Sequence, residues 1–335
     1  MITPAIGTRE LYSQLEVLLE SNTPLFIHGS PGIGKSYIVN DIASKLDLEI
    51  VDVRLSQLDA VDLRGIPAIS NAQTVWMPPV FLPTESESRG ILFLDELNSA
   101  PLSVQAAIYQ LILDRKIGEY SMPKGWRIVC AGNKIDDRGI VFKLPSPLIN
   151  RMVHIVLEAR FDDFKTWAIA EGIHPYIIGF LGFRPDLLSS EVPASTETNP
   201  AFCTPRAWSM LSTILQQTSD ISKISPIIYG CVGYGAGIEL LSFIKVYKRL
   251  PDIDAILAGD SQEVPQEPSS LYALIAALIE RYKTIEQAKQ LLTYSESLPV
   301  EFSVMLIKDL ITKDESICEL ELFEQWLGQY GDYIL

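Results

Sequence analysis

The chain has 335 residues, 47% of them hydrophobic, with 27 basic and 42 acidic side chains and a net charge of −15. That is enough for one large core or two ordinary ones, and the acidic balance argues against non-specific binding to nucleic acid or anionic membrane. Four cysteines (Cys130, Cys203, Cys231, Cys318) lack any C-x-x-C pair and three histidines (His28, His154, His174) are scattered. Neither a zinc site nor a disulfide framework is suggested, and reduced, buried thiols are expected. No basic-then-apolar leader opens the sequence, and the longest apolar run, Leu271 to Ile279, is about half a bilayer span. The expectation is a soluble cytoplasmic protein. Residues 251–335 carry 5 basic and 16 acidic groups, so −11 of the charge sits there, as a solvated helical surface or a docking face for a basic partner.

In chain order, Arg9 to Glu20 predicts a helix with Leu11, Leu15, Leu18 and Leu19 on one face, ended by Asn22-Thr-Pro24. Leu25-Phe-Ile27 reads as a strand and Tyr37 to Leu46 as a helix. Four more apolar runs read as buried strands: Leu48 to Val53, Gly90 to Leu94, Arg127 to Ala131, and Val153 to Leu157. Leu102 to Leu113 is helical, with Val104, Ile108, Leu111 and Ile112 on one stripe. Ser56 to Glu87, with four prolines (Pro67, Pro78, Pro79, Pro83), reads as an irregular excursion. Strands alternating with helices predict an α/β layered core. After Glu158 the pattern turns helical, with polar loops at Ser189 to Pro200 and Gly259 to Ser270. The glycine-dense stretch Gly230 to Gly237 lacks dinucleotide-binding spacing and suits a loop or a close helix–helix approach.

Between the first strand and its helix lies Gly29-Ser30-Pro31-Gly32-Ile33-Gly34-Lys35-Ser36, a full match to G-x-x-x-x-G-K-[ST]. Glycines let backbone N–H groups turn inward around β- and γ-phosphates, Lys35 adds positive charge, and Ser36 can ligate Mg²⁺. The apolar strand Ile91-Leu-Phe-Leu ends in Asp95-Glu96, which puts Asp95 beside that metal and Glu96 near the attacking water. Adjacent strand residues face opposite ways, so both reach one site only where the strand stops. Asn133, at the end of Val129-Cys-Ala-Gly, sits at the same sheet edge; it orients the water or touches the γ-phosphate, or else makes an Asx-turn. Arg151 precedes the last strand, near the domain surface, where it can reach a neighbouring subunit's γ-phosphate or form a surface ion pair. Arg138 is a second, weaker candidate. Arg206 follows the helix start Thr204-Pro205, which places it in the first turn, over the nucleotide or in a structural salt bridge.

GSPGIGKS, ILFLDE, AGNK, SPLINRM (Ser146 to Met152) and TPRAW (Thr204 to Trp208) occur in the order seen in AAA+ ATPases, and the chain most resembles their MoxR-type branch over residues 5–215. DLRGIP (Asp62 to Pro67), Trp76-Met-Pro-Pro79 and a hairpin over Asp114 to Trp126 fit that branch too. The resemblance implies an α/β P-loop NTPase (AAA+) core over residues 1–158, an all-α lid over 159–218 and an acidic helical region over 219–335. It also implies that Asn133 is sensor 1, Arg151 the arginine finger and Arg206 sensor 2. ATP and Mg²⁺ are the implied cofactors, and a ring, expected as a hexamer, is the implied assembly. The activity would be ATP hydrolysis coupled to chaperone-like remodelling or activation of a partner protein, in this branch often one with a von Willebrand A-like domain. Segments Arg54 to Gly65 and Asp114 to Trp126 would lie near the pore. A nucleic-acid motor or loader on the same core is a rival, though no basic stripe supports it. An ATP-gated, non-catalytic scaffold is another, though every catalytic position is filled.

Overall fold

The computed structural model describes residues 4–134, 142–193, 200–218 and 220–333. Contacts divide the chain into two units, Met1–Ala159 and Arg160–Leu335.

The first unit runs β1 (Ala5–Ile6), α1 (Thr8–Ser21), β2 (Leu25–His28), α2 (Lys35–Lys45), β3 (Glu49–Arg54), α3 (Ala60–Arg64), β4 (Ile66–Ser70), β5 (Gln73–Met77), β6 (Gly90–Asp95), α4 (Leu102–Asp114), β7 (Lys116–Ile117), β8 (Tyr120–Ser121), β9 (Trp126–Gly132), α5 (Ser146–Ile149) and β10 (Val153–Leu157). Six strands form one sheet in the order β1-β10-β2-β9-β6-β3, and every neighbouring pair is parallel. The period-2 alternation of side chains builds two cores from the same strands. Leu25 and Ile27 of β2, Ile91 and Phe93 of β6, and Val129 and Ala131 of β9 meet α1 and α2 residues such as Leu11, Leu15 and Val39. Phe26, Leu92, Leu94, Ile128 and Cys130 point the other way, into a cluster with Val104, Ile108, Leu111 and Ile112 of α4. Parallel pairing then leaves the C-terminal ends of β2, β6 and β9 along one edge.

Two expectations change, and one strand carries no expectation at all. Leu48 to Val53, read as buried, is the edge strand β3, where only Val53 is buried. The two-residue strand β1 pairs with β10 at the opposite edge and is too short to give a sequence signal. Ser56 to Glu87 is not simply irregular: it holds α3 and the antiparallel hairpin β4–β5, turned by Asn71 and Ala72, both at positive φ (52° and 58°). Those are the dihedrals of a two-residue hairpin turn, but Asn-Ala lacks the glycine that normally announces one. Arg64 stacks over the Trp76 ring, 4.2 Å from its centroid. The hairpin expected within Asp114 to Trp126 is present as β7–β8.

The second unit comprises α6 (Phe161–Ala170), α7 (Pro175–Phe183), α8 (Pro205–Gln216), α9 (Ser225–Val232), α10 (Tyr234–Tyr247), α11 (Ile253–Ala258), α12 (Pro268–Arg281), α13 (Ile285–Ser295), α14 (Val300–Lys313) and α15 (Glu321–Tyr330). The long apolar run is the middle of α12, which packs against α7, α10 and α14, so helices on both sides of residue 218 share one body. Leu274, Leu278, Leu291, Leu306 and Leu310 are fully buried in its core. The glycine-dense stretch is the break between α9 and α10, with Gly233 at φ +87° and Gly237 lying against the Tyr229 ring. Cys130, Cys203 and Cys231 are buried as expected, but Cys318 is exposed.

Within this unit Lys165 of α6 and Asp309 of α14 pair at 2.7 Å, with side chains only 12% and 9% exposed. Burial lifts the Asp309 carboxyl above its ordinary range, and Lys165 opposes that. Removing one partner strands the other charge. Lys165→Met is expected to lower stability by about 3–5 kcal/mol, whereas Lys165→Met with Asp309→Leu recovers most of it. Urea unfolding of the two single variants and the double variant measures both.

Candidate functional site

The cradle follows from where β2 stops. After His28 the chain leaves the sheet edge, held by the Gly29 N–H donating to Gly132 O at 3.1 Å. It turns at Gly32 (φ +77°) and Gly34 (φ +100°), a backbone region that side chains with a Cβ rarely adopt. Ile33 is buried among α1, α2 and sheet residues and pins the loop, while Ser30, Pro31 and Gly32 stay partly accessible. Gly34 caps α2, whose first N–H groups have no partner within the helix and so favour an anion there.

Lys35 is 8% exposed. Its ammonium donates to Gly29 O at 2.6 Å, Ser30 O at 3.1 Å and Asn133 Oδ1 at 3.3 Å. The Ser36 hydroxyl donates to Asp95 Oδ2 at 2.8 Å, and the Glu96 N–H donates to Asp95 Oδ1 at 2.8 Å. Residues far apart in sequence therefore meet at one edge: Gly29 to Ser36 between β2 and α2, Asp95 at the end of β6 with Glu96 after it, and Asn133 just after β9. Glu96 has left-handed backbone dihedrals (φ 59°, ψ 32°), which ends the strand pleat at this residue.

Two partners escaped sequence reading. Ser56, just after β3, donates its hydroxyl to Glu96 Oε2. Asn98, 3% exposed, donates from Nδ2 to Asn133 O at 2.8 Å, and its Oδ1 accepts from Asn133 N–H at 3.2 Å. Its own carbonyl accepts from Phe142 N–H at 2.7 Å. A Cβ on Gly132 would lie 2.2 Å from Asn98 Oδ1, so glycine at that position makes room for the clamp. A lone asparagine two residues after Glu96 gives no sequence signal. Only the fold shows that its amide continues the ladder between β6 and β9.

Arg151 and Arg206 stand on other segments. Arg151 is exposed, in the turn between α5 and β10, and its N–H bonds Leu148 O at 3.1 Å. Arg206 belongs to the second unit, exposed in the first turn of α8. There Thr204 caps the helix by accepting from the Ala207 N–H at 3.0 Å. Arg138 lies outside the described residues. Two of the scattered histidines also meet: His28 Nε2 is 2.9 Å from His154 Nδ1. Burial first, then His154 and Lys35, hold His28 down at about 4. Among the described residues no group of three or more His, Cys, Asp or Glu side chains could hold a metal, and no helix is long and apolar enough to cross a membrane.

Residues 24–152 match the family model described as AAA domain (dynein-related subfamily). The chain is 28% identical over 174 residues to midasin of Giardia intestinalis and 27% identical over 165 residues to midasin of Dictyostelium discoideum. These alignments cover 49% and 46% of this chain but only 4% and 3% of those proteins. Among solved structures, NtrX from Brucella abortus aligns with 99% of this chain and 69% of its own at a TM-score of 0.43 and 15% identity. The first unit is a six-stranded parallel sheet between helices, similar over residues 24–152 to the AAA domain family, and a helical region follows it.

Asn98 accounts for the position of Asn133. Asn98→Ala leaves both backbone groups of Asn133 without these partners, at an expected cost of about 1–3 kcal/mol. Denaturant unfolding of the variant tests this, and an unchanged midpoint would contradict it.

Proposed function

We propose that this protein hydrolyses ATP with Mg²⁺ as a ring-forming AAA+ ATPase of MoxR type and uses the cycle to remodel or activate a partner protein. The observation that carries the reading is the convergence of Lys35, Ser36, Asp95, Glu96 and Asn133 on one strand-end edge, joined by direct hydrogen bonds.

The Ser36–Asp95 pair offers hard oxygen donors, the kind Mg²⁺ takes through one or two protein groups while keeping water and phosphate as its other ligands. Bound there, Mg²⁺ would neutralise phosphate charge, and ATP would supply the phosphoanhydride. The residues from Gly29 to Gly34 wrap the phosphates with backbone N–H groups. Lys35 exchanges its carbonyl partners for phosphate oxygens. Glu96 takes the proton of the attacking water once it leaves the Ser56 hydroxyl, and Asn133 orients that water or the γ-phosphate. Arg151, exposed beyond α5, reaches the site of an adjacent subunit, and Arg206 reads the nucleotide within its own chain. A finger supplied from next door requires a repeated head-to-tail interface, and a closed ring satisfies it. A hexamer and a partner bearing a von Willebrand A-like domain complete the proposal. So does the use of residues 159–218 as a lid and of 219–335 as an acidic platform, the helices on both sides of residue 218 packing into one body. That acidic surface disfavours the nucleic-acid alternative.

Lys35→Ala is expected to abolish ATP binding in a fluorescent-nucleotide titration, and normal affinity would refute the cradle. Glu96→Gln should hold ATP without turnover; steady-state hydrolysis at the native rate would remove Glu96 as the base. Arg151→Ala should lose on the order of 10³-fold or more in kcat. Mixing it with Glu96→Gln subunits, which supply an intact Arg151, should restore part of that rate.

A further inference from the structure

His28 and His154 stand 126 residues apart in sequence but meet across the β2–β10 pairing. His28 is the last residue of the strand that opens the phosphate loop. Its Nε2 lies 2.9 Å from His154 Nδ1, and His154 Nε2 lies 2.9 Å from the carbonyl of Ile149. One pair of neutral tautomers satisfies both contacts. Ile149 O can only accept, so His154 Nε2 carries a proton and its Nδ1 accepts from the His28 Nε2–H. Phe26 lies against both rings, with centroids 4.2 Å from His28 and 5.8 Å from His154. Burial first, then His154 and the Lys35 ammonium, keep His28 neutral.

The acceptor at the far end is what gives this chain a direction. Ile149 is the last residue of α5, and the bond from His154 closes the stretch 149–154 at its base. Arg151 stands exposed within that closed turn. Three links therefore join the start of the phosphate cradle to the turn that presents Arg151: strand end to imidazole, imidazole to imidazole, imidazole to helix carbonyl.

We propose that the His28–His154 pair is a positioning link that sets Arg151 for delivery to the neighbouring subunit according to the state of its own subunit's phosphate loop. This rests on the trans-arginine reading above. Neither imidazole touches substrate. Their effect is on where a residue lent to another site stands, so the defect of a variant belongs to the neighbour's turnover and not to its own binding.

The test uses full-length protein assembled as rings. His28→Leu removes the donor; it is expected to leave ATP affinity unchanged and to lower kcat on the order of 10²-fold, the scale set by misplacing a reacting group by about 1 Å. His28→Gln keeps an amide donor and should regain much of that loss. Mixed with Glu96→Gln subunits, which lend a properly set Arg151, His28→Leu sites should recover activity as Arg151→Ala sites do. If the defect persists in mixed rings while Arg151→Ala recovers, or if ATP affinity falls instead of kcat, the link acts within its own cradle and the proposal is overturned. If Arg151→Ala fails to recover, the trans reading fails and the proposal falls with it. Should His28→Leu unfold on a thermal scan, His154→Asn, which lacks a group equivalent to Nε2 for Ile149, carries the same measurements.

Discussion

Parallel pairing of β2, β9 and β6 is the constraint from which the site follows. Three strands that run the same way must end on the same side, and each runs out there into polar chain: the glycine-rich loop after His28, Asp95 with Glu96 after it, and Asn133 after Gly132. Their bodies are apolar on both faces because helices cover both, so polar chemistry is displaced to the tips. The edge collects Lys35 and Ser36, Asp95 and Glu96, and Asn133 from three segments that lie far apart in sequence. Ladder bonds hold the spacing: Phe26 opposes Cys130, and Phe93 opposes Val129.

Each key group at that edge already has a protein partner. Lys35 rests on two loop carbonyls and on Asn133, Ser36 on Asp95, and Glu96 on Ser56. A buried ammonium left unsolvated would be costly, so these contacts stabilise the cradle before any ligand arrives. On the proposed reading, a phosphate or a hard cation would compete for these same contacts, and binding would be an exchange of partners in place of the desolvation of bare charges.

Much of this was legible from the chain, and what was not has physical reasons. The phosphate loop and the Asp95-Glu96 strand end carry fixed spacings that local chemistry demands, and the strands β2, β6, β9 and β10 announce themselves as short apolar runs. Strand β3 misled because its composition matches a buried strand, whereas its place in the order, set by topology, leaves one side unpaired. The hairpin β4–β5 was missed because Asn71-Ala72 adopts a turn that usually contains glycine. Asn98, Ser56 and the histidine pair act through tertiary contacts spanning 35, 40 and 126 residues, and no local pattern encodes such distances. The acidity of residues 251–335 is plain in the sequence, but nothing in it says which helix faces solvent.

The backbone of Glu96 carries a consequence of its own. A left-handed glutamate is disfavoured by about 1–2 kcal/mol relative to an ordinary helical or extended one. The twist breaks the alternation of the pleat immediately after Asp95, and the Glu96 carboxylate accepts from the Ser56 hydroxyl. Glycine would relax the joint and asparagine would suit it better, yet either would delete the carboxylate. Backbone ease and the presence of that carboxylate therefore pull against each other at a single peptide unit, and the chain carries the side chain that its own conformation resists.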